Sequence, residues 1–214
     1  MGDFLKYRLK PFLLKKFPSG NRSLSEKRTI GLVGVNRGAG VTYTGVLLSS
    51  YFGIEKRIKT AYLECNNHQD FERLQNAFEW EKEDDKSFTL DRVTYYKKVP
   101  SSSIPEIMTE DYGCLIMDFG KDYISWKEEF IRCGTKIIIG DQAIWNQSKL
   151  MAFLSSVDNI GGIKNCLHII PFAEKNVIAR LSKKTGRDLI SIPYEPDPMI
   201  LSKETYKIFQ NLFG

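Results

Sequence analysis

From residue 28 onward, short apolar runs alternate with helix-like stretches. Strand-like runs fall at Thr29–Val35, Thr60–Cys65, Cys114–Asp118, Lys136–Gly140, Cys166–Pro171 and Leu189–Ile192. The pattern predicts helices over Val41–Tyr51, Gln69–Phe78, Tyr123–Cys133, Ile144–Ser155, Glu174–Lys184 and Lys203–Phe213. Brief β runs separated by helices predict an α/β fold: a doubly wound, mostly parallel sheet with helices on both faces. The stretch Phe88–Val99 breaks the pattern. It alternates and is rich in aromatics, which predicts an antiparallel edge strand or hairpin.

Residues 1–27 have a different character. Leu5, Leu9, Phe12 and Leu13 share one helical face, and basic residues interleave with them. Pro11 predicts a kink or two short helices there. Pro18-Ser19-Gly20-Asn21 reads as a linker. The expected organisation is a basic amphipathic arm and linker over 1–27, then one α/β domain over 28–214. The 214 residues suit a single large domain with a sizeable core.

Charge sharpens this division. The chain carries a net +5, yet residues 1–28 alone carry +6 and the remainder nets −1. A basic surface spread over the body, as nucleic-acid binding requires, is not indicated. The arm instead suits an anionic membrane surface met through residues 1–17, or a partner protein. Packing of its Leu/Phe face onto its own domain is the plain structural alternative. The four cysteines, Cys65, Cys114, Cys133 and Cys166, form no C-x-x-C pair, and reduced buried thiols are expected. No apolar run approaches a membrane span, and charges interrupt any signal-like segment. The expected location is cytoplasmic, with peripheral membrane association through the arm as its variant.

The richest segment is Thr29 to Thr44. An apolar run enters the turn Asn36-Arg37-Gly38-Ala39-Gly40, and the turn enters a helix at Val41-Thr42-Tyr43. Glycines let backbone amides approach phosphate, and a helix N-terminus favours the anion. The Walker pattern ends in Gly-Lys-Ser/Thr. Gly40 and Thr42 fit it, while Val41 stands where lysine is required. Ligands in such sheets sit beyond the carboxyl ends of the strands. Those ends carry Glu64-Cys65-Asn66, Asp118-Phe119-Gly120, Asp141-Gln142 and Pro193-Tyr194-Glu195-Pro196-Asp197-Pro198.

In this order, the segments resemble the MinD/ParA family of P-loop ATPases, and within it the TadZ/CpaE-type proteins of pilus assembly. The family loop reads Lys-Gly-Gly-x-Gly-Lys-Thr, against Asn36 to Thr42 here. Glu64-Cys65-Asn66 loosely matches its Asp-x-Asp element, Asp118-Phe119-Gly120 its third-strand aspartate, and Ile192-Pro193-Tyr194-Glu195-Pro196 its Ile-Pro-x-Asp-Pro loop near the adenine. The resemblance implies ATP or ADP held by Asn36, Arg37, Gly38, Ala39, Gly40, Val41, Thr42, Tyr43, Pro193 and Glu195. It implies Mg²⁺ at Thr42 with Asp118 behind it, and Glu64 or Asn66 near an attacking water. It also implies a protein partner in an assembly machinery, and a homodimer.

Two departures set the expected activity. Asn36 replaces the lysine that reaches across the family dimer, and Val41 replaces the Walker lysine. Without those cations, developing phosphoryl charge is poorly stabilised. The expectation is a degenerate, pseudo-ATPase site whose protein localises or assembles a pilus- or secretion-like machinery, with weak nucleotide binding or none. A slow ATPase or small-molecule kinase using Arg37 remains open, as does a Rossmann-type dinucleotide site built on Gly38, Gly40 and Glu64, although Tyr43 occupies the third-glycine position. A plain tight turn accounts for the same glycines. His68 is expected in a solvated loop and His168 in the core.

Overall fold

The computed structural model describes residues 27–77, 85–158 and 165–214. The strands are β1 (Arg28–Gly34), β2 (Thr60–Glu64), β3 (Ser87–Leu90), β4 (Val93–Tyr96), β5 (Cys114–Asp118), β6 (Thr135–Ile139), β7 (Leu167–Pro171) and β8 (Leu189–Ile192). The α-helices are α1 (Val41–Ser50), α2 (Asp70–Ala77), α3 (Ile104–Thr109), α4 (Lys127–Arg132), α5 (Gln147–Val157), α6 (Lys175–Thr185) and α7 (Lys203–Phe213). One eight-stranded sheet results, in the order β3-β4-β2-β5-β1-β6-β7-β8. The hairpin β3–β4 is antiparallel; the other pairings among the described residues are parallel. This is the expected doubly wound arrangement.

The apolar runs explain the layering. β2, β5 and β7 are buried along their whole length, because helices cover both faces of the sheet. One face packs Leu47, Leu48, Tyr51 and Phe52 after β1, Phe71 of α2 and Phe209 of α7 against Ile30, Leu32 and Ile116. The other packs Ile104 and Ile107 of α3, Phe130 of α4, Leu150 and Leu154 of α5 and Leu181 of α6 against Val33, Leu115 and Ile138. Chain order reverses around β1, which lies between β5 and β6. Such a switch point opens a crevice at the strand C-termini, and the glycine loop emerges from it.

Local chemistry sets several boundaries. α7 starts where Ser202 Oγ accepts the Thr205 amide, a side-chain N-cap. α6 ends at Gly186 in the left-handed region (φ 67°). The predicted hairpin forms, with Phe88 and Tyr95 stacked at 4.9 Å. The helix expected over Tyr123–Cys133 contracts to α4; the residues before it form turns in which Asp122 Oδ1 accepts the Ser125 amide at 3.2 Å and the Asp122 carbonyl accepts the Trp126 amide at 3.3 Å. α1 continues as a π-helical turn, Tyr51–Glu55. α3 was not anticipated; it is short and carries Pro105 in its first turn.

The arm and linker lie outside the described residues, Lys27 excepted, as does Phe78 at the end of the second predicted helix. Lys27 Nζ donates to the carbonyls of Met108, at 2.6 Å, and Glu110. All four cysteines are buried and free. Among the described residues, no helix is long and apolar enough to cross a membrane.

Candidate functional site

The loop is shaped by its glycines. Gly38 and Gly40 have φ of 79° and 95°, which other L-residues rarely adopt. The Ala39 amide closes the turn on the Asn36 carbonyl at 3.3 Å. Among the described residues, the amides of Gly38, Gly40, Val41 and Thr42 donate to no backbone carbonyl. They form the open donor set of a helix start, suited to a phosphate.

The two positions that the sequence resemblance aligns with lysines, Val41 and Asn36, are engaged within the protein. Val41 is 8% exposed, and its Cγ2 presses on the end of β1: a Cβ on Gly34 would lie 2.7 Å from it. Asn36 Nδ2 donates to Asp141 Oδ2 at 2.9 Å and to the Arg37 carbonyl at 2.9 Å. Asp141 is further fixed by Asn146 Nδ2 at 2.6 Å and the Ala143 amide at 2.8 Å. Arg37 is exposed at the tip of the loop.

Behind the loop lies a saturated carboxylate. Asp118 Oδ2 accepts from Thr42 Oγ1 at 2.8 Å and Tyr62 Oη at 3.3 Å. Its Oδ1 accepts from Asn66 Nδ2 at 3.0 Å and the Gly120 amide at 2.8 Å. Burial pushes its carboxyl above the usual range, while the Thr42 and Gly120 donors oppose that rise. Tyr62 Oη also contacts the Thr42 carbonyl at 3.1 Å, and burial beside Asp118 raises its phenol well above 10.

The oxygens present fit a divalent cation at Thr42. Its single proton serves the 2.8 Å bond to Asp118, so its lone pairs stay free, and Asp70 Oδ2 lies 3.3 Å away. Asp118, already holding four donors, would support Thr42 rather than face a cation there. Glu64 points elsewhere. Its Oε1 accepts the amides of Asp70 at 2.7 Å and Phe71 at 3.4 Å, and Oε2 that of Lys98 at 3.4 Å. It caps the start of α2; burial raises its carboxyl, against the pull of those amides.

Tyr43 joins the loop to the segment after β8. Its hydroxyl accepts the Glu195 amide at 2.6 Å and faces the Glu195 carbonyl at 3.2 Å. The Glu195 carboxylate turns away from the loop. It accepts the Ser202 amide at 3.2 Å, Ser202 Oγ at 2.6 Å and Thr205 Oγ1, and so anchors α7. Pro193 leads out of β8 beside them. The structure thus gathers Asn36 to Tyr43, Asn66 and Asp118 at one edge, while the carboxylates of Glu64 and Glu195 serve helix starts. Asp70, Tyr62, Asp141 and Asn146 were not assigned from sequence. Asp70 and Asp141 follow strand ends, which was their one readable signal; Tyr62 and Asn146 had none.

No known protein-family signature and no curated protein matches the chain. Solved structures do. A plasmid partition protein of Borrelia burgdorferi B31 bound to AMPPNP superposes with a TM-score of 0.61 at 14% identity, over 87% of this chain and 97% of that one. MinD of Aquifex aeolicus, solved in complex with MinC, gives 0.59 at 10% identity, over 79% and 82%. MinD of Pyrococcus horikoshii with Mg-ADP gives 0.56 at 15% identity, over 80% and 83%. The fold is therefore that of the MinD/ParA-type P-loop ATPases.

Proposed function

We propose that this protein is a MinD/ParA-like nucleotide binder with a degenerate Walker loop. It acts by placing or assembling a cellular machinery rather than by rapid ATP turnover. The observation that carries this reading is Val41, an apolar side chain packed onto β1 at the position of the phosphate lysine. The remaining parts favour binding over chemistry. The amides of Gly38, Gly40, Val41 and Thr42 donate to no backbone carbonyl among the described residues, Thr42 is held by Asp118, and Asn36 is tethered to Asp141. Mg²⁺ would be held at Thr42 with Asp70 and would neutralise phosphate charge there. Glu64, engaged with the start of α2, is not disposed to orient a water.

A protein partner is supported by the surface next to the loop. Ile144 and Trp145 are 71% and 75% exposed, one turn beyond the Asp141 that holds Asn36. Adjacent exposed aromatic and aliphatic residues suit a protein contact. The pilus- or secretion-type setting rests on the sequence resemblance to TadZ/CpaE-type proteins. The test is ATP turnover by the purified chain with Mg²⁺. The expected rate equals a protein-free control. Robust turnover that Thr42→Ala abolishes overturns the reading in favour of an Arg37-assisted ATPase or kinase.

A further inference from the structure

We propose that the edge of the sheet at which its parallel strands begin is a docking face for an anionic lipid bilayer, lying flat on it beside the basic arm. This goes beyond the nucleotide reading and does not rest on it. β1, β2, β4, β5, β6, β7 and β8 all run parallel, so their first residues share one edge. Lys27 and Arg28 stand there at β1, Lys56, Arg57 and Lys59 before β2, and Arg92 before β4. Arg132 and Lys136 flank the start of β6, and Lys183, Lys184 and Arg187 precede β8. The acids of this edge are fewer: Glu55, Asp91, Glu110, Asp111, Asp158 and Asp188. Composition conceals this face, because residues 29–214 net −1 and acids elsewhere on the body offset it. Only the parallel pairing of the strands gathers these scattered cations.

Some of these cations are engaged within the protein. Arg187 pairs with Asp158, Arg132 pairs with Glu128, and Lys136 Nζ donates to the Cys133 carbonyl. Arg57, Arg92, Lys183 and Lys184 are exposed and have no acidic partner among the described residues. β4 and β8 lie six strands apart, so the free charges span roughly 29 Å at about 4.8 Å per strand. β1 lies between them, and the chain leaves it through Lys27 toward the arm. The arm therefore departs from the middle of the basic face. Its interleaved Leu and Phe residues suit lipid better than nucleic acid. Ile54 and Met108, 36% and 42% exposed, add apolar surface at the same edge. Stable attachment to a bilayer takes two signals, an inserted apolar group and a basic patch among them. The arm supplies the first and the edge the second, and neither suffices by itself. The glycine loop, at the opposite edge, then points away from the bilayer.

The experiment is co-sedimentation of the full chain with phosphatidylcholine–phosphatidylserine vesicles at about 0.15 M salt. Lys183→Glu/Lys184→Glu changes one end of the face and Arg57→Glu/Arg92→Glu the other. Lys121→Glu/Lys175→Glu makes the same change of charge at the opposite edge, Lys175 being the first residue of the helix that carries Lys183 and Lys184. Circular dichroism checks that each variant is folded. Each edge pair should weaken binding at least about tenfold, the scale of two cations at an anionic surface. The seven residues of β1 set the two edges roughly 20 Å apart, beyond the screening length of about 8 Å. The Lys121/Lys175 control should therefore stay within about twofold of the wild type. Edge variants that bind like the wild type would leave the arm as the sole contact and overturn the proposal. A control that weakens equally also overturns it, since net charge alone would then decide. Loss in only one of two folded edge variants contradicts flat docking. A full chain that ignores anionic vesicles overturns this proposal and the lipid reading of the arm together. If the chain instead binds a DNA duplex, vesicles stay unbound and the edge variants lose the duplex, the face belongs to nucleic acid and the proposal fails.

Discussion

Tyr62 and Gly45 are a fitted pair: a Cβ on Gly45 would lie 1.8 Å from Tyr62 Oη and 2.2 Å from its Cζ. The missing side chain on α1 is what lets the Tyr62 hydroxyl reach both the Thr42 carbonyl and Asp118. Gly45→Ala should therefore destabilise the protein. The gain in helix propensity is about 1 kcal/mol, and overpacking costs about 1–3 kcal/mol. At this overlap the clash wins, and a net loss of about 1–2 kcal/mol is expected in urea unfolding. Adding Tyr62→Phe should not restore stability, because the ring carbon still collides. Adding Tyr62→Val should restore part of it.

Glu195 is expected to matter to α7 rather than to a ligand. Burial alone would raise its carboxyl, but the Ser202 and Thr205 donors outweigh that and hold it below the usual range. A depressed carboxyl contributes stability above its unfolded pKa, and that contribution fades as pH falls through the folded one. Glu195→Ala should cost about 1.5–3 kcal/mol, the range for hydrogen bonds to a charged group. Hydrogen exchange should show the loss as lower protection along Lys203–Phe213, with nucleotide affinity little changed.

His168 carries a pH dependence of known sign. It is buried on β7, its Nε2 has no partner among the described residues, and burial lowers its pKa to about 4, against a weaker opposing pull from Asp188. The unfolded chain therefore binds the extra proton first. Stability should fall as pH drops from about 6.5 toward 4 and level off below. Asp118 and Glu64, whose carboxyls burial raises, act in the opposite sense at low pH. Comparing the wild type with His168→Gln in denaturant at pH 7.5 and pH 5 isolates the histidine: the variant should lose less stability on acidification.

The charge asymmetry of the sequence gives an expectation for the arm. Deleting residues 1–26 should leave a folded sheet and abolish binding to vesicles that contain anionic lipid. Binding by the full chain should weaken with salt, since each basic residue near such a surface contributes about 1 kcal/mol and is screened within about 8–10 Å. Sedimentation at two salt concentrations measures this. A truncated protein that unfolds would make Leu5, Leu9, Phe12 and Leu13 core residues and remove the membrane reading.

Much of the fold was legible because its strands are apolar runs bounded by turn residues. Cys114–Asp118 and Leu189–Ile192 lie where the pattern put them, as does the helix Lys203–Phe213. What was lost lies in short segments. The residues before α4 form turns in which Asp122 Oδ1 accepts the Ser125 amide, and α3 is too short to display a period. In the site, the glycine loop and the strand-end Asp118 were readable because motif spacing encodes them. The engagement of Glu64 and Glu195 with helix starts was not. A carboxylate after a strand looks the same in sequence whether it faces a ligand or a neighbouring amide. Tyr62 was hidden for a similar reason. An aromatic residue in a buried strand reads as core, and only the notch at Gly45 reveals its hydroxyl.

The most direct test is the ATP affinity of the wild type against Val41→Lys, each titrated with Mg²⁺. One regained charge-assisted phosphate contact is worth about 1.5–3 kcal/mol. Wild-type binding in the high micromolar range or weaker should therefore tighten by about one to two orders of magnitude. An affinity that Val41→Lys leaves unchanged, in a variant shown to be folded, would mean that the Gly38–Thr42 turn is not a phosphate cradle, and would contradict the account.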